Sequence, residues 1–304
     1  EALAATWPDR ATRDLLARHA VQDGYEQFRS DALEVLSMTW PDEITRDLLA
    51  QRAVQDGHEY TRHAALQSLA ATWPDQTTRD LLTQRAVQDN HTSPRHAALK
   101  ALAATWPDQA TRDLLAQRAV QDDDEFTRGG ALKMLAATWP DQATRDLLIH
   151  FAVQDHNGFS RSEALKALAA TWPDQATRDL IAHSAVQDGD AYIRREALRV
   201  LASTWPDQTT RNLLAQRAVQ DDDEGSRRAA LQALAATWPD QATCDLLAQR
   251  VIQDADVNAR GAACSALGSM HSQFGGILPT KDIDGVWPYL DPLKPIPRTH
   301  IEAA

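Results

Sequence analysis

The chain is poor in the residues that most alternative protein classes depend on. Only two cysteines, Cys244 and Cys264, occur in 304 residues, so there is no disulfide framework and a reducing cytoplasm is the simplest setting. No apolar run approaches the length needed to cross a bilayer, and no signal peptide is visible. Positive charge is in deficit: the formal net charge is -12. That balance argues against general nucleic-acid binding, since phosphate neutralisation needs a basic face, but it leaves room for a local basic stripe. Glycine is scarce at 12 residues, and alanine and leucine dominate the hydrophobic 43%, which points to helices. The ten histidines are scattered, without a pair at the spacing of a zinc-binding helix motif. No catalytic constellation stands out. The expectation is a protein that is not an enzyme and holds no metal or cofactor.

What the sequence has is a period. Trp7, Trp40, Trp73, Trp106, Trp139, Trp172, Trp205 and Trp238 lie 33 residues apart, each followed by proline and aspartate. One unit runs from Thr127 through Trp139-Pro140-Asp141 to Asp155. Its first half carries Ala131, Leu132 and Leu135 at helical spacing, which buries one stripe. Pro140 ends that helix, because it lacks an amide donor and disfavours helical geometry in the residue before it. Asp141 is placed to cap a second helix, whose buried face is expected from Leu147, Leu148, Ala152 and Val153. Neither helix can cover its apolar surface alone, whereas stacked pairs can.

An aspartate closing the second helix is followed six residues later by an arginine. Asp56 and Arg62, Asp89 and Arg95, Asp122 and Arg128, Asp155 and Arg161, Asp188 and Arg194, and Asp221 and Arg227 repeat this spacing. So do Asp23 with Arg29 and Asp254 with Arg260. The pattern resembles the HEAT-repeat signature over roughly residues 1–270. The resemblance implies an all-α, right-handed α-solenoid of about eight 33-residue antiparallel helix pairs. It also implies an Asp–Arg ladder tying neighbouring units together, a role that suits a forked guanidinium bridging carboxylates and free carbonyls. Residues 271–304, with Pro279, Pro288, Pro292, Pro295 and Pro297, are expected to form a capping tail. Glu1-Ala2-Leu3 matches Glu163-Ala164-Leu165 inside a later unit, so the chain is expected to begin mid-helix, as part of a longer protein.

Several features invite a functional reading and also have a structural one. His150 and His183 occupy equivalent positions in adjacent units and could share a metal, although solvated surface histidines are the expectation. Cys244 replaces an arginine found at its position in every other unit, which reads as a terminal unit drifting from the pattern rather than as a redox pair with Cys264. The runs Asp122-Asp123-Asp124-Glu125 and Asp221-Asp222-Asp223-Glu224 lack the glycine of a calcium loop and are read as a ladder aspartate plus carboxylates favouring the next helix start. The recurrent tryptophans are read as structural wedges. Arg145-Asp146 and its equivalents are read as self-neutralising bridges between units.

Differences among units cluster after the ladder aspartate and in the second-helix segment around residues 149–151. Seven of the nine aromatics other than tryptophan fall there: Tyr25, Phe28, Tyr60, Phe126, Phe151, Phe159 and Tyr192. Rigid aromatic area on a constant frame suits recognition. The candidate binding set is Tyr60, Phe126, Ile149, His150, Phe151, Phe159, His183 and Tyr192, expected to share a face and to engage a protein or peptide ligand. The tryptophan-bearing unit and the tail segment Leu278–Gly285 also resemble the C-terminal repeat regions of bacterial NACHT/STAND-type signalling NTPases, implying the sensor region of a larger receptor. Alternatives are a constitutive assembly scaffold, or a HEAT-like enzyme such as a bilin lyase or a DNA glycosylase. The acidic balance disfavours the basic groove that a glycosylase needs.

Overall fold

The computed structural model describes residues 9–273, which form helices and no strands. The expected tail beyond residue 273, with Leu278–Gly285, lies outside the described residues, as do Trp7 and the chain start. Sixteen helices are described. In unit 1 they are α1 (Arg10–Gln22), α2 (Glu26–Thr39), α3 (Glu43–Gln55), α4 (Glu59–Thr72), α5 (Gln76–Gln88), α6 (Thr92–Thr105), α7 (Gln109–Gln121) and α8 (Glu125–Thr138), with α9 (Gln142–Gln154) carrying the boundary. In unit 2 they are α10 (Gly158–Thr171), α11 (Gln175–Gln187), α12 (Ala191–Thr204), α13 (Gln208–Gln220), α14 (Glu224–Thr237), α15 (Gln241–Gln253) and α16 (Val257–Gln273). The two compact units are Glu1–Phe151 and Ala152–Ala304. None of the described helices is long and apolar enough to cross a membrane.

Each odd-numbered helix starts at the Trp-Pro-Asp turn. The tryptophan amide closes the preceding helix on a leucine carbonyl at 2.8–2.9 Å, and the proline ends it. The aspartate after the proline then turns its carboxylate onto the amide three residues ahead, as in Asp75 accepting from Thr78 N–H at 3.0 Å and Asp108 from Thr111 N–H at 3.1 Å. This N-cap, expected at Asp141, recurs at Asp9, Asp42, Asp174, Asp207 and Asp240.

The compact helix hairpin is not the one that the sequence period suggests. The two helices flanking the Trp-Pro-Asp turn meet over little of their length. The odd helix packs fully on the even helix that follows its ladder aspartate: α1 on α2, α3 on α4, α5 on α6 and α7 on α8 in unit 1, and α11 on α12, α13 on α14 and α15 on α16 in unit 2. Even helices then stack on even helices, α2–α4–α6–α8 and α10–α12–α14–α16. Each unit is a solenoid of such hairpins. Small residues make the close stacking possible, since Ala65, Ala98, Ala131, Ala164, Ala197 and Ala230 are fully buried beside Leu66, Leu69, Leu132 and Leu135. The odd helices contribute Leu49, Leu82, Leu115, Leu148, Leu214 and Leu247 with Ala53, Ala86 and Ala152. Val153, expected in the core, is instead 57% exposed, and Val54, Val87, Val120 and Val219 are likewise exposed. It lies one residue beyond Ala152, a rotation of about 100° that turns it away from the even helix.

Two arginine ladders cross the repeats. In the first, each of Arg29, Arg62, Arg95, Arg128, Arg161, Arg194, Arg227 and Arg260 donates to the carbonyl of the aspartate six residues before it, at 2.7–2.9 Å. The fork also reaches the next repeat's aspartate carboxylate: Arg29–Asp56, Arg62–Asp89 and Arg95–Asp122 in unit 1, and Arg161–Asp188, Arg194–Asp221 and Arg227–Asp254 in unit 2. Arg62 holds Asp89 with both Nε and Nη2, at 2.9 and 2.8 Å, and both residues are buried. The Asp89 carboxyl is pulled below its ordinary value. Burial works against this, but the Arg62 hydrogen bonds and the His91 amide outweigh it.

The second ladder runs between units, as expected of Arg145-Asp146 and its equivalents, with the capping aspartate of the next repeat as the acceptor. Arg13, Arg46, Arg79 and Arg112 in unit 1, and Arg178 and Arg211 in unit 2, donate to the N-capping aspartate of the next repeat at 2.5–2.7 Å. The adjacent aspartates accept from a glutamine one turn back, as in Gln76 to Asp80 at 2.7 Å. Cys244 occupies the arginine position in the last described repeat, and the residue 29 positions on, where the other repeats have their capping aspartate, is Gln273. Its thiol is buried and free, and burial raises it above its ordinary value, helped by Asp245 and Asp240.

The described repeat tryptophans are half-buried at the helix turns. Their backbone amides close the helices, and the indole Nε1 of Trp205 donates to the Pro173 carbonyl of the preceding repeat at 3.2 Å.

Candidate functional site

The even helices carry the variable surface. Their second residue reads Gln27, Tyr60, Ser93 and Phe126 in unit 1, and Phe159, Tyr192, Gly225 and Asn258 in unit 2. Their fifth reads Ser30, His63, His96 and Gly129, then Ser162, Arg195, Arg228 and Gly261. Their ninth reads Glu34, Gln67, Lys100 and Lys133, then Lys166, Arg199, Gln232 and Ser265. Positions two, five or six, and nine are one face of a helix, one turn apart. The odd helices vary less, chiefly in the segments 149–151 of α9 and 182–184 of α11.

Stacking brings these positions into contact across repeats. Ser30 Oγ reaches the Tyr60 carbonyl at 3.5 Å, and His63 Nδ1 lies 3.1 Å from the Ser93 carbonyl and 2.9 Å from its Oγ. In unit 2, Lys166 bridges Glu163 of its own helix and Glu196 of the next, both at 3.0 Å, and Arg199 also pairs with Glu196. Burial opposes ionisation of both groups, yet the bonds hold the Lys166 ammonium above its ordinary value and the Glu196 carboxyl below its own. The fifth position of one repeat therefore meets the second position of the next, and the ninth meets the sixth.

The candidate binding residues divide accordingly. Tyr60 and Phe126 are 57% and 55% exposed, and Phe159 and Tyr192 are half-buried at the same helix position in unit 2. Tyr60 stacks on His58, with ring centroids 6.4 Å apart. Ile149, His150 and Phe151 lie on odd helix α9, not on this face. Phe151 is a correction: it is 6% exposed, a core residue in contact with the His150 ring at 6.1 Å. It stands where Arg52, Arg118 and Arg217 reach their ladder aspartates at 3.3–3.8 Å. Ile149 is half-buried, and His150 and His183 are exposed. Among the described residues no group of three or more His, Cys, Asp or Glu is placed to hold a metal ion. Phe28 occupies a position that is fully buried as Thr61, Thr127, Ser160, Ile193 and Ser226, and α2 is the first of the described even helices. Tyr25 packs edge-on against it, at 5.9 Å.

The acidic runs act as read. Asp124 and Asp223 cap their helices through Thr127 and Ser226 amides at 2.8 and 2.6 Å. Asp222 adds a second carboxylate to Arg194 at 2.9 Å. Sequence reasoning missed His63, His96, Lys100 and Lys133 as members of the face. The signal was available, because Lys100, Lys133 and Lys166 recur at the 33-residue period and are the only lysines among the described residues.

The family profile for HEAT repeats matches residues 46–136, 79–169, 112–202 and 178–268. The chain belongs to the HEAT-repeat family. Among solved structures this HEAT-repeat chain is similar to Escherichia coli YibA, with 19% identity over 84% of this chain and 91% of that one and a TM-score of 0.49. It is also similar to human deoxyhypusine hydroxylase in complex with glycerol, at 18% identity, 89% and 99% coverage and a TM-score of 0.35. A third is the complex of CpcE and CpcF of phycocyanin lyase from Nostoc sp. PCC7120, at 15% identity, 86% and 96% coverage and a TM-score of 0.37. At these identities no activity of those proteins is carried over to this one. Sequence comparison with curated proteins yields no significant match.

Proposed function

We propose that this HEAT-repeat array is a binding module without catalysis of its own, and that its recognition surface is the outward face of the even helices. The observation that carries this reading is the segregation of variation. The second, fifth and ninth positions of the even helices change from repeat to repeat, while the ladders and the aspartate caps of the odd helices stay nearly constant. Uniform repeats would serve a scaffold equally well, whereas a varied face on a fixed frame distinguishes one partner from another. Exposed Tyr60 and Phe126, and half-exposed Phe159 and Tyr192, supply rigid contact area of the kind that concentrates binding energy. The partner class is a protein or peptide.

The more specific form of the proposal is a ligand-sensing region of a larger NACHT/STAND-type signalling NTPase. Its support is the tail resemblance together with this focused variation. The test compares partner capture by the chain and by a variant with Tyr60, Phe126, Phe159 and Tyr192 all changed to alanine. Capture is expected to fall at least tenfold, as loss of about 1.4 kcal/mol requires, and equal capture by a folded variant refutes the surface. The sensing role is tested separately, by whether the captured partner changes nucleotide hydrolysis by the full-length protein. No change removes the receptor reading and leaves the binding module. The enzymatic alternative, a bilin lyase for example, is tested by incubating the chain with bilin and an acceptor apoprotein; covalent attachment would overturn the proposal.

A further inference from the structure

On the even-helix face of unit 1, four basic side chains from three stacked helices come together: His63 on α4, His96 and Lys100 on α6, and Lys133 on α8. The two lysines are exposed and the two imidazoles half-buried. His63 is anchored by Ser93, its Nδ1 2.9 Å from the hydroxyl. His96 occupies space that only a glycine leaves open, since a Cβ on Gly130 would lie 2.5 Å from its Nδ1 and 2.7 Å from its Cε1. That glycine lies inside α8, where it costs about 1 kcal/mol of helix propensity relative to alanine. The cost goes with room for the imidazole.

The charge environment of the cluster is one-sided. The His96 imidazole is held below its ordinary value by burial, then by His63, Lys100 and Lys133. For His63, burial and Lys100 act in the same direction, opposed by hydrogen bonds to the Ser93 carbonyl and with the Gln67 side chain. Among the described residues no carboxylate pairs with either ring. The acidic side chains at the helix starts are already engaged: Glu59 faces His91 at 3.6 Å and Asp124 caps α8. From these, the fifth and ninth positions lie one and two turns along the helix, about 6 and 12 Å away. In unit 2 the equivalent ninth-position cation, Lys166, has two glutamates of its own. Among the described residues Lys100 and Lys133 make no such ion pair, in a chain whose net charge is -12.

We propose that the face formed by α4, α6 and α8 is a docking site for an acidic segment of a partner protein, its carboxylates seated on Lys100, Lys133, His96 and His63 and its apolar side chains on Phe126 and Tyr60. This rests on the reading of the even-helix face as the recognition surface and specifies the partner's chemistry. Complementary charge is the argument for the occupant, since like charges gathered without counterions gain most from an arriving anion. A protein segment fits better than a nucleic acid. A duplex would meet only two permanent positive charges here, against an overall negative field.

The test uses the whole chain and a labelled oligoglutamate peptide ending in leucine and phenylalanine. Controls are a glutamine analogue of the peptide and a single-stranded oligonucleotide. The acidic peptide is expected to bind, at least tenfold more weakly when Lys100 and Lys133 are both changed to glutamine and several-fold more weakly for Gly130→Ala, which displaces His96. Binding should tighten as pH falls through the imidazole range, because a bound anion favours the protonated rings. Thermal melting of each variant checks that both remain folded, and both lysines are exposed. Equal binding of the glutamine analogue, equal binding by the lysine variant, or tighter binding of the oligonucleotide overturns the proposal. If the alanine variant at Tyr60, Phe126, Phe159 and Tyr192 loses its captured partner while oligoglutamate fails to bind, the recognition face stands and only its acidic specificity falls.

Discussion

At the scale of single residues, the two ladders look alike in sequence and differ in what they contribute. Arg62 and Asp89 are 5% and 4% exposed, and the pair is bidentate. Removing one partner strands the other's charge in the interior, so Arg62→Ala is expected to destabilise the fold by about 3 kcal/mol, measured by denaturant unfolding. A loss under about 1 kcal/mol would mean that water replaces the guanidinium. Arg46 and Asp75 are joined at 2.7 Å, but half of the aspartate faces solvent, and Arg46→Ala is expected to cost much less. Acid sensitivity follows from the same carboxylates. Asp89 and Asp254 both have folded-state values below the ordinary 3.8, since their arginine partners and loop amides outweigh burial. A depressed carboxyl contributes stability that is fully present above its unfolded value and disappears as pH falls through its folded one. Stability is therefore expected to be flat with respect to these groups above about pH 5 and to decline below pH 4. The Arg62→Ala variant should show a shallower decline. An equal slope would assign the acid transition to other groups.

At the scale of the helix, the odd and even helices are started differently. Every odd helix has the same aspartate cap. Even helices are capped by a side chain at Asp124, Asn157, Asp190 and Asp223, whereas Tyr25, His58 and His91 make no such bond. Asp124→Ala is expected to lower stability by about 1 kcal/mol, with His91→Ala close to neutral, both read by thermal melting. Similar losses from the two changes would show that the helix start is held by stacking rather than by its cap. The hairpin phase also belongs to this scale. The sequence period is most conspicuous at tryptophan, which invites a unit centred on the Trp-Pro-Asp turn. The packed pair is instead the one across the ladder aspartate, because the arginine ties the even helix back onto that loop.

At the scale of the whole molecule, the extensive contacts among the described helices of each unit run between neighbours in the stack, so stability within a unit is close to a sum of local terms. Hydrogen exchange on the Arg62→Ala variant should quicken in α4 to α6 and leave α12 to α16 unchanged. A uniform increase would show that the array unfolds as one cooperative body. The same locality lets the even-helix face vary, since a ninth position such as Lys166 pairs with the adjacent repeat.

The sequence by itself determined the helices, their boundaries at Trp-Pro-Asp, the aspartate caps and the first arginine ladder. These depend on residues within a few positions of each other, or on a spacing repeated without a slip. Only the tertiary structure decided that Phe151 turns inward and Val153 outward, that Arg46 reaches Asp75 rather than Asp47, and that His63, His96, Lys100 and Lys133 form one cluster. Those outcomes depend on which faces meet when even helices stack. Residues about one repeat apart become neighbours through that stacking, and nothing in their local sequence fixes the angle at which they do so.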